Sequence, residues 1–422
     1  MESYICDRCS KGFRSNAVYT RHLQKITPCA NITETTQKKK LIRVKSFSTT
    51  KVSQNETPIK DIDEISSEND TKKELGQFYT TNYKYILQNF TIPKEETIII
   101  EPFAGQGDLL NFVDSSKYTT ECYDLDPKMS FINKRDTLDN PPSYKGKFII
   151  TNPPYLARNK SKSKDIFDKH DTNDLYKCFM KQIIDDPANG GILIIPLNFW
   201  CSIRKSDIEL RRDFLNIYNV NAINIFEERV FDDTSYSTCS FQFAKKSNDC
   251  ESLADKKINV YIYPQKEKFI FELNESNNYT FGGEIYNLEQ SKNIIVERLT
   301  KDNIKDNKQY ITNILVKCID DSSQSKISLS IVSDDNIYID TTPNLSARSY
   351  AGLLIKPKLS IEQQTKLVDA FNTYINIQRE KYNSLFLTNY RESNTIARKR
   401  ISFSLAFEIV NYLIHSLKIV SQ

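Results

Sequence analysis

No run of 18 or more apolar residues occurs in the 422-residue chain, so no membrane-spanning helix is expected. The opening Met1-Glu2-Ser3-Tyr4 lacks the basic-then-apolar layout of a secretory signal. No internal repeat is present, so the chain does not read as a repeat array. Glycine is scarce, at ten, beside abundant Lys, Asn and Ile. That bias is expected of an AT-rich genome and carries no functional message. The nine cysteines are odd in number and mostly far apart, which points to reduced thiols inside a cell. A hydrophobic share of 39% with 27% charged residues fits a soluble globular protein of two or three domains.

What is present is unevenly placed. Residues 1–60 carry twelve Lys or Arg against four Asp or Glu, an excess of +8. The whole chain carries +4, so the remainder is −4. A basic arm of this kind suits nucleic acid, and equally a solvated tail. Composition divides the chain into four parts: a small module over 1–30, a polar linker over 31–72, an α/β domain over 73–247, and a less regular region over 248–422.

Within the α/β part, Thr97–Ile100, Phe148–Thr151 and Gly191–Ile195 are continuous β-branched or aliphatic runs. Such runs suit a parallel sheet covered on both faces, and ligands of such sheets sit beyond the carboxyl ends of the strands. After the first run comes Glu101-Pro102-Phe103-Ala104-Gly105-Gln106-Gly107-Asp108, where two glycines allow a tight turn and close approach to a ligand. The next strand, Thr119–Tyr123, ends in Asp124-Leu125-Asp126-Pro127. An acid about twenty residues after a glycine turn can hold both hydroxyls of a ribose. A plain turn with a solvated Asp is the competing reading.

Thr151-Asn152-Pro153-Pro154-Tyr155 follows the fourth strand. Two prolines stiffen the loop and remove two donors, so it presents carbonyls. Such acceptors suit methyl transfer to an exocyclic amino nitrogen, whose lone pair is delocalised into the ring. The Asn152 side-chain oxygen and the Pro153 carbonyl can accept the two amino hydrogens and favour a tetrahedral nitrogen. Tyr155 can stack on the base, which must first be flipped from a duplex. Cytosine-C5 chemistry would need a Pro-Cys nucleophile in this loop. The one Pro-Cys here, Pro28-Cys29, lies upstream.

In this order the motifs resemble the adenine-N6 DNA methyltransferases of restriction-modification type, in the class whose target-recognition domain lies at the C-terminus. The resemblance covers roughly residues 73–247. It implies a Rossmann-like α/β methyltransferase domain using S-adenosylmethionine, acting on double-stranded DNA, and an α+β recognition domain over 248–422. Gly76-Gln77-Phe78-Tyr79-Thr80 looks like the segment that closes over the methionine end of the cofactor, although Thr81 stands where the family often has Pro. Glu101 stands where Asp is commoner. Asp124 matches the ribose-binding acid, and Asp136, in Arg135-Asp136-Thr137-Leu138, matches the acid that receives the cofactor's adenine amino group. The cofactor set this implies is Phe78, Tyr79, Thr80, Glu101, Phe103, Ala104, Gly105, Gly107, Asp124, Leu125, Asp136, Thr137 and Asn152. Val230–Thr238 resembles a late hairpin whose aromatic, Phe231, packs beside the flipped adenine. The catalytic set is then Asn152, Pro153, Pro154, Tyr155 and Phe231.

Near the start, Cys6 and Cys9, then His22 after twelve residues and Cys29 after six more, approach a zinc-finger spacing. The pattern resembles the Cys-Cys-His-Cys fingers near the N-termini of many giant DNA virus proteins. It implies a structural zinc in an accessory module, and an intracellular setting in cytoplasm or nucleus, including that of a virus-infected cell. Downstream, Lys366–Arg379 reads as an amphipathic helix. Arg398-Lys399-Arg400 reads either as a phosphate contact or as a solvated helix start. No convincing nuclease motif is found in these residues, and a separate cognate nuclease is an expected type of partner. Rival readings are an RNA adenine or a protein-glutamine methyltransferase, which share Asn-Pro-Pro-Tyr. A further rival is a non-catalytic DNA-binding protein with a degenerate core.

Overall fold

The structure, a computed structural model, describes residues 4–5, 12–13, 80–231, 237–247, 256–320, 325–340, 349–390 and 398–420. Near the N-terminus, β1 (Tyr4–Ile5) and β2 (Gly12–Phe13) pair as an antiparallel hairpin. The candidate zinc ligands Cys6, Cys9, His22 and Cys29 lie outside the described residues, as do Phe78 and Tyr79. Among the described residues, no group of three or more His, Cys, Asp or Glu is placed to hold a metal ion. Among the same residues, no helix is long and apolar enough to cross a membrane.

Residues 65–422 form a separate compact unit. Its centre is a nine-stranded sheet of β3 (Ile98–Glu101), β4 (Thr119–Asp124), β5 (Asn133–Lys134), β6 (Phe148–Thr151), β7 (Gly190–Pro196), β8 (Tyr218–Phe226), β9 (Thr238–Lys245), β10 (Lys256–Tyr263) and β11 (Glu267–Leu273). The order is β5-β4-β3-β6-β7-β9-β8-β10-β11. Pairing is parallel from β5 through β7. β9 runs antiparallel between β7 and β8. The apolar runs read from the sequence are thus β3, β6 and β7, each within two residues of its expected bounds.

Why the runs are continuous is visible in the two faces. Successive side chains on a strand point to opposite sides. Ile100, Ile149, Leu193 and Ile195 join one core, roofed by α3 (Leu175–Asp185) and α5 (Lys205–Ile217). Ile99, Ile150, Ile192 and Ile194 join a second core on the other face, with Ile86 of α1 (Tyr83–Ile86) and Phe90. Both faces are dry, so alternation with polar residues is absent. α2 (Asp165–His170) precedes α3, and α4 (Asn198–Cys201) precedes α5.

The boundary expected at residues 247/248 does not interrupt the sheet. β10 pairs in parallel with β8, and β11 closes that edge. Beyond it, β12 (Ile295–Arg298), β13 (Ile311–Lys317), β14 (Ser328–Ile331) and β15 (Tyr350–Lys356) form an antiparallel sheet in the order β12-β15-β13-β14. α6 (Ile361–Tyr382) and α7 (Phe403–Ser416) complete this region. Arg398-Lys399-Arg400 does not begin a helix. It is β17 (Arg398–Arg400), paired with β16 (Thr388–Tyr390), and α7 starts only after Ser402, whose hydroxyl accepts from the Leu405 amide at 3.1 Å.

The chain order places the site. From β3 the chain runs outward to β4 and β5, then returns to the opposite flank of β3 for β6. The loops after β3 and β6 therefore diverge, and the crevice between them is where a doubly wound sheet binds its ligands.

Candidate active site

The loops on either side of that crevice line one cavity of about 520 Å³. Phe103, Gly105, Asp124, Asp136, Asn152 and Pro154 all face it. This size lies within the range of pockets that hold small ligands and cofactors.

The glycine turn is built as the sequence required. Gly105 and Gly107 have φ of 55° and 83°, in the left-handed region that side chains avoid. Asp124, at the end of β4, organises the turn: one carboxylate oxygen accepts from the Gly105 amide and the other from the Asp126 amide, both at 2.8 Å. Thr137 also lines the cavity, and its hydroxyl donates to the Pro102 carbonyl at 2.8 Å. Leu125 lines the cavity, whereas Ala104 and Gly107 shape the turn without lining it.

Glu101 is placed differently from expectation. It is 1% exposed and does not line the cavity. One oxygen accepts from the Thr151 hydroxyl at 2.6 Å and the other has no hydrogen bond. Burial pushes its carboxyl up to about 8, against the lowering effect of Thr151 and the Phe103 amide. Glu101 thus ties the carboxyl end of β3 to that of β6 as a largely protonated acid.

The loop after β6 holds Asn152 in a buried network. Its Nδ2 donates to the Thr80 hydroxyl at 3.1 Å. Its Oδ1 faces the Tyr155 hydroxyl, which also lies 2.8 Å from the Ile194 carbonyl. Tyr155, expected to stack on the base, does not line the cavity. Its ring is 3% exposed and packs edge-on to Tyr176 at 6.2 Å, so it supports the loop from behind. Phe231 is likewise buried, in the core cluster of Ile192, Ile194 and Tyr263, and lies outside the cavity lining. Pro153 is buried as well, while Pro154 reaches the cavity.

A second cavity of about 690 Å³ lies on the far side of the segment after Tyr155. Asp174, Tyr176, Lys177, Asn198, Arg204 and Asp207 line it, and none was singled out from the sequence. Lys177 and Asp207 form a buried ion pair at 2.5 Å. Asp174 is 8% exposed, and its Oδ1 has no hydrogen bond. Burial raises its carboxyl to about 7, with Lys177 and nearby backbone amides pulling it back. One signal was available: Asp174 directly precedes the apolar helix α3, a position where Asp often caps, although here its side chain makes no cap hydrogen bond.

This pKa has a consequence for stability. An unfolded Asp titrates near 3.9, so between pH ~4 and ~7 the folded chain holds a proton that the unfolded chain has released. Stability from this group is full below pH ~4 and is lost as pH rises to ~7. Asp174→Asn cannot ionise and removes that loss. The stability gap between variant and parent is expected to shift by about 1 kcal/mol per pH unit between pH 5 and 7 in the variant's favour. Urea melts at pH 5, 6, 7 and 8 measure it, and a gap that is flat with pH shows that Asp174 ionises normally.

A doubly wound sheet with a glycine turn, an acidic strand end and a carbonyl-rich loop on one crevice defines a nucleotide-cofactor class of α/β fold. Residues 23–231 match the family model of the Eco57I restriction-modification methylases. Among curated proteins none matches the chain. Among solved structures, similarity is found to the type I restriction-modification methyltransferase subunit from Streptococcus thermophilus, at 14% identity over 48% of this chain and 52% of that one, TM-score 0.36. The type I restriction enzyme EcoKI M protein aligns at 12% identity over 86% and 75%, TM-score 0.33. DrdV, solved as a DNA complex, aligns at 15% over 59% and 35%, TM-score 0.39. The chain spans about half the length of several of the structures it matches.

Proposed function

We propose that this chain is a DNA methyltransferase that transfers a methyl group from S-adenosylmethionine to the N6 amino group of a flipped-out adenine. One observation carries the reading. Asp124, Asp136 and Gly105 share a single cavity with Asn152 and Pro154, so a cofactor crevice and an amino-group acceptor meet at the switch point. The match of residues 23–231 to restriction-modification methylases covers the same two loops.

The residues fit the donor. Asp124 offers acceptors for ribose hydroxyls, Asp136 an acceptor for an adenine amino group, and the left-handed turn at Gly105 and Gly107 a close backbone approach. When bound, S-adenosylmethionine supplies a methyl group already activated on sulfonium. The protein's work is then to orient the acceptor. Asn152 Oδ1 and the Pro153 carbonyl accept the two amino hydrogens, localise the nitrogen lone pair and favour the tetrahedral geometry it takes in the transition state. Tyr155 holds Asn152 in place from behind. In this reading the region of β12–β15, α6 and α7 recognises the duplex. The N-terminal Cys6, Cys9, His22 and Cys29 hold a structural zinc.

The test is direct. Labelled methyl from S-adenosylmethionine should enter unmethylated duplex DNA, and nucleoside digestion should place it in N6-methyldeoxyadenosine. Label confined to RNA or protein, or found on cytosine, rejects the reading.

A further inference from the structure

We propose that the second cavity holds a nucleotide of the substrate strand beside the methylated base, with Arg204 on its phosphate and Asp174 on the amino group of its base. This rests on the reading of the Asn152 loop as the place where a nucleic-acid base is methylated. Residues of one segment, 156–166, line both cavities, and the two linings differ in charge. The first presents Asp124, Asp136, Asp139 and Asp165 against Arg135, which suits a donor with sulfonium and ammonium charges. The second presents Arg158, Lys164, Lys177 and Arg204 against Asp174 and Asp207. Arg158 is paired with Asp168 and Lys177 with Asp207, each at 2.5 Å. Lys164 donates to the Arg158 and Ser161 carbonyls and keeps its charge. Arg204 is exposed, and among the described residues neither it nor Lys164 has an acidic partner. Such a wall attracts an anion.

An anion alone leaves Asp174 unexplained. It lines the same cavity, is 8% exposed, and its Oδ1 has no donor among the described residues. A buried acceptor without a donor is costly, and a ligand that brings a donor as well as an anion removes that cost. A nucleotide brings both, through its phosphate and the amino group of adenine, cytosine or guanine. Asn159 and Asn198 on the same wall add amides of the kind that meet base edges. The volume of about 690 Å³ lies within the range of pockets that hold such ligands. The position fits as well. The Tyr155 hydroxyl faces Asn152, its ring packs against Tyr176 at 6.2 Å, and Tyr176 lines the second cavity. A nucleotide held there is a near neighbour of the base at Asn152.

The test measures binding of fluorescent oligo-dC and oligo-dT of equal length to the full chain by anisotropy, at pH 8 over a series of salt concentrations. Burial raises the Asp174 carboxyl to about 7, so at pH 8 it is chiefly an acceptor. Cytosine offers it an amino group where thymine offers a carbonyl. The parent should therefore bind oligo-dC about threefold or more tighter, the share of one hydrogen bond. Asp174→Asn keeps the shape, offers a donor and an acceptor, and should erase the preference. Arg204→Ala should weaken both strands about threefold or more and reduce the salt slope of log K by about 0.7, the share of one phosphate. Lys205→Ala removes the same charge one residue away, outside the cavity lining, and should change affinity by less than about twofold. If Arg204→Ala and Lys205→Ala act alike, or if the parent binds oligo-dC and oligo-dT equally, the proposal is overturned. If 5′-dCMP displaces oligo-dC with an affinity equal to that of the strand, the site takes a free nucleotide and the strand assignment is overturned. A chain that shows the expected preferences yet methylates no DNA rejects the function reading and leaves the nucleotide site standing.

Discussion

Replacing Asn152 with alanine is expected to lower methyl transfer by about 10²–10³-fold, a far larger fall than in S-adenosylmethionine binding, to which Asn152 is one of many contributors. Removing one preorganised group aimed at developing charge typically has this effect, because the lost interaction exists mainly in the transition state. The fold should survive the change. Tyr155 keeps its contact with the Ile194 carbonyl at 2.8 Å, and the Thr80 hydroxyl loses one donor without becoming a buried charge. The stability loss is therefore on the order of 1 kcal/mol, the net worth of a typical hydrogen bond. Single-turnover transfer to duplex DNA, cofactor titration and a thermal melt separate the three quantities. If transfer falls only as far as cofactor binding does, Asn152 is a cofactor ligand and the acceptor role is wrong.

The same residues show what the sequence could and could not reveal. β3, β6 and β7 were legible because both faces are buried, which leaves long aliphatic runs. The Gly105 turn, Asp124 and Asn152 were legible because strand-end position and residue type together restrict the chemistry. Their convergence on one cavity follows from strand order, which local patterning only implies. The placement of Glu101 was not legible. The resemblance implies a cofactor contact, whereas the structure buries its carboxyl against the Thr151 hydroxyl and outside the cavity lining. Tyr155 was incompletely legible for a related reason. An aromatic beside a base site suggests stacking, whereas its packing edge-on to Tyr176 with its hydroxyl toward Asn152 is non-local.

The C-terminal region illustrates a second limit. Apolar spacing begins α6 near Lys366, whereas the helix starts five residues earlier at Ile361. The reason is a capping box: Ser360 Oγ accepts from the Gln363 amide at 3.2 Å, and Gln363 Oε1 accepts from the Ser360 amide at 2.8 Å. Periodicity locates the buried face, but capping chemistry sets the boundary. Of the two readings of Arg398-Lys399-Arg400, the solvated helix start does not match the strand found there, and the phosphate contact is left as an expectation. The strand pairs with β16, eight to twelve residues earlier, and the charge run itself carries no strand alternation that would announce this.

The largest stability effect is expected at Arg211, which sequence patterning gave no reason to single out. It sits on α5 and is fully buried, an unusual place for a guanidinium. Its donors meet the Phe199 carbonyl at 2.6 Å, the Ser202 carbonyl at 2.7 Å and the Thr280 hydroxyl at 2.5 Å. Burial lowers its pKa to about 10, so it remains charged at neutral pH. One side chain therefore clamps α5 to the residues after β7 and to the turn that leads out of the nine-stranded sheet. Arg211→Met keeps the apolar stem but removes the hydrogen bonds to the Phe199 and Ser202 carbonyls and to the Thr280 hydroxyl, each worth about 1 kcal/mol or more. The expected loss is about 3–5 kcal/mol, seen as a fall in Tm on the order of 5–10 °C. The chain's single tryptophan reports on the same junction. Trp200 is fully buried, stacks on Phe281 at 6.0 Å, and its carbonyl accepts from the Phe281 amide at 3.2 Å. If the clamp opens, its emission should shift to the red before the main transition. A variant that melts with the parent and keeps a blue emission would show that the packing around Trp200 holds the junction without Arg211.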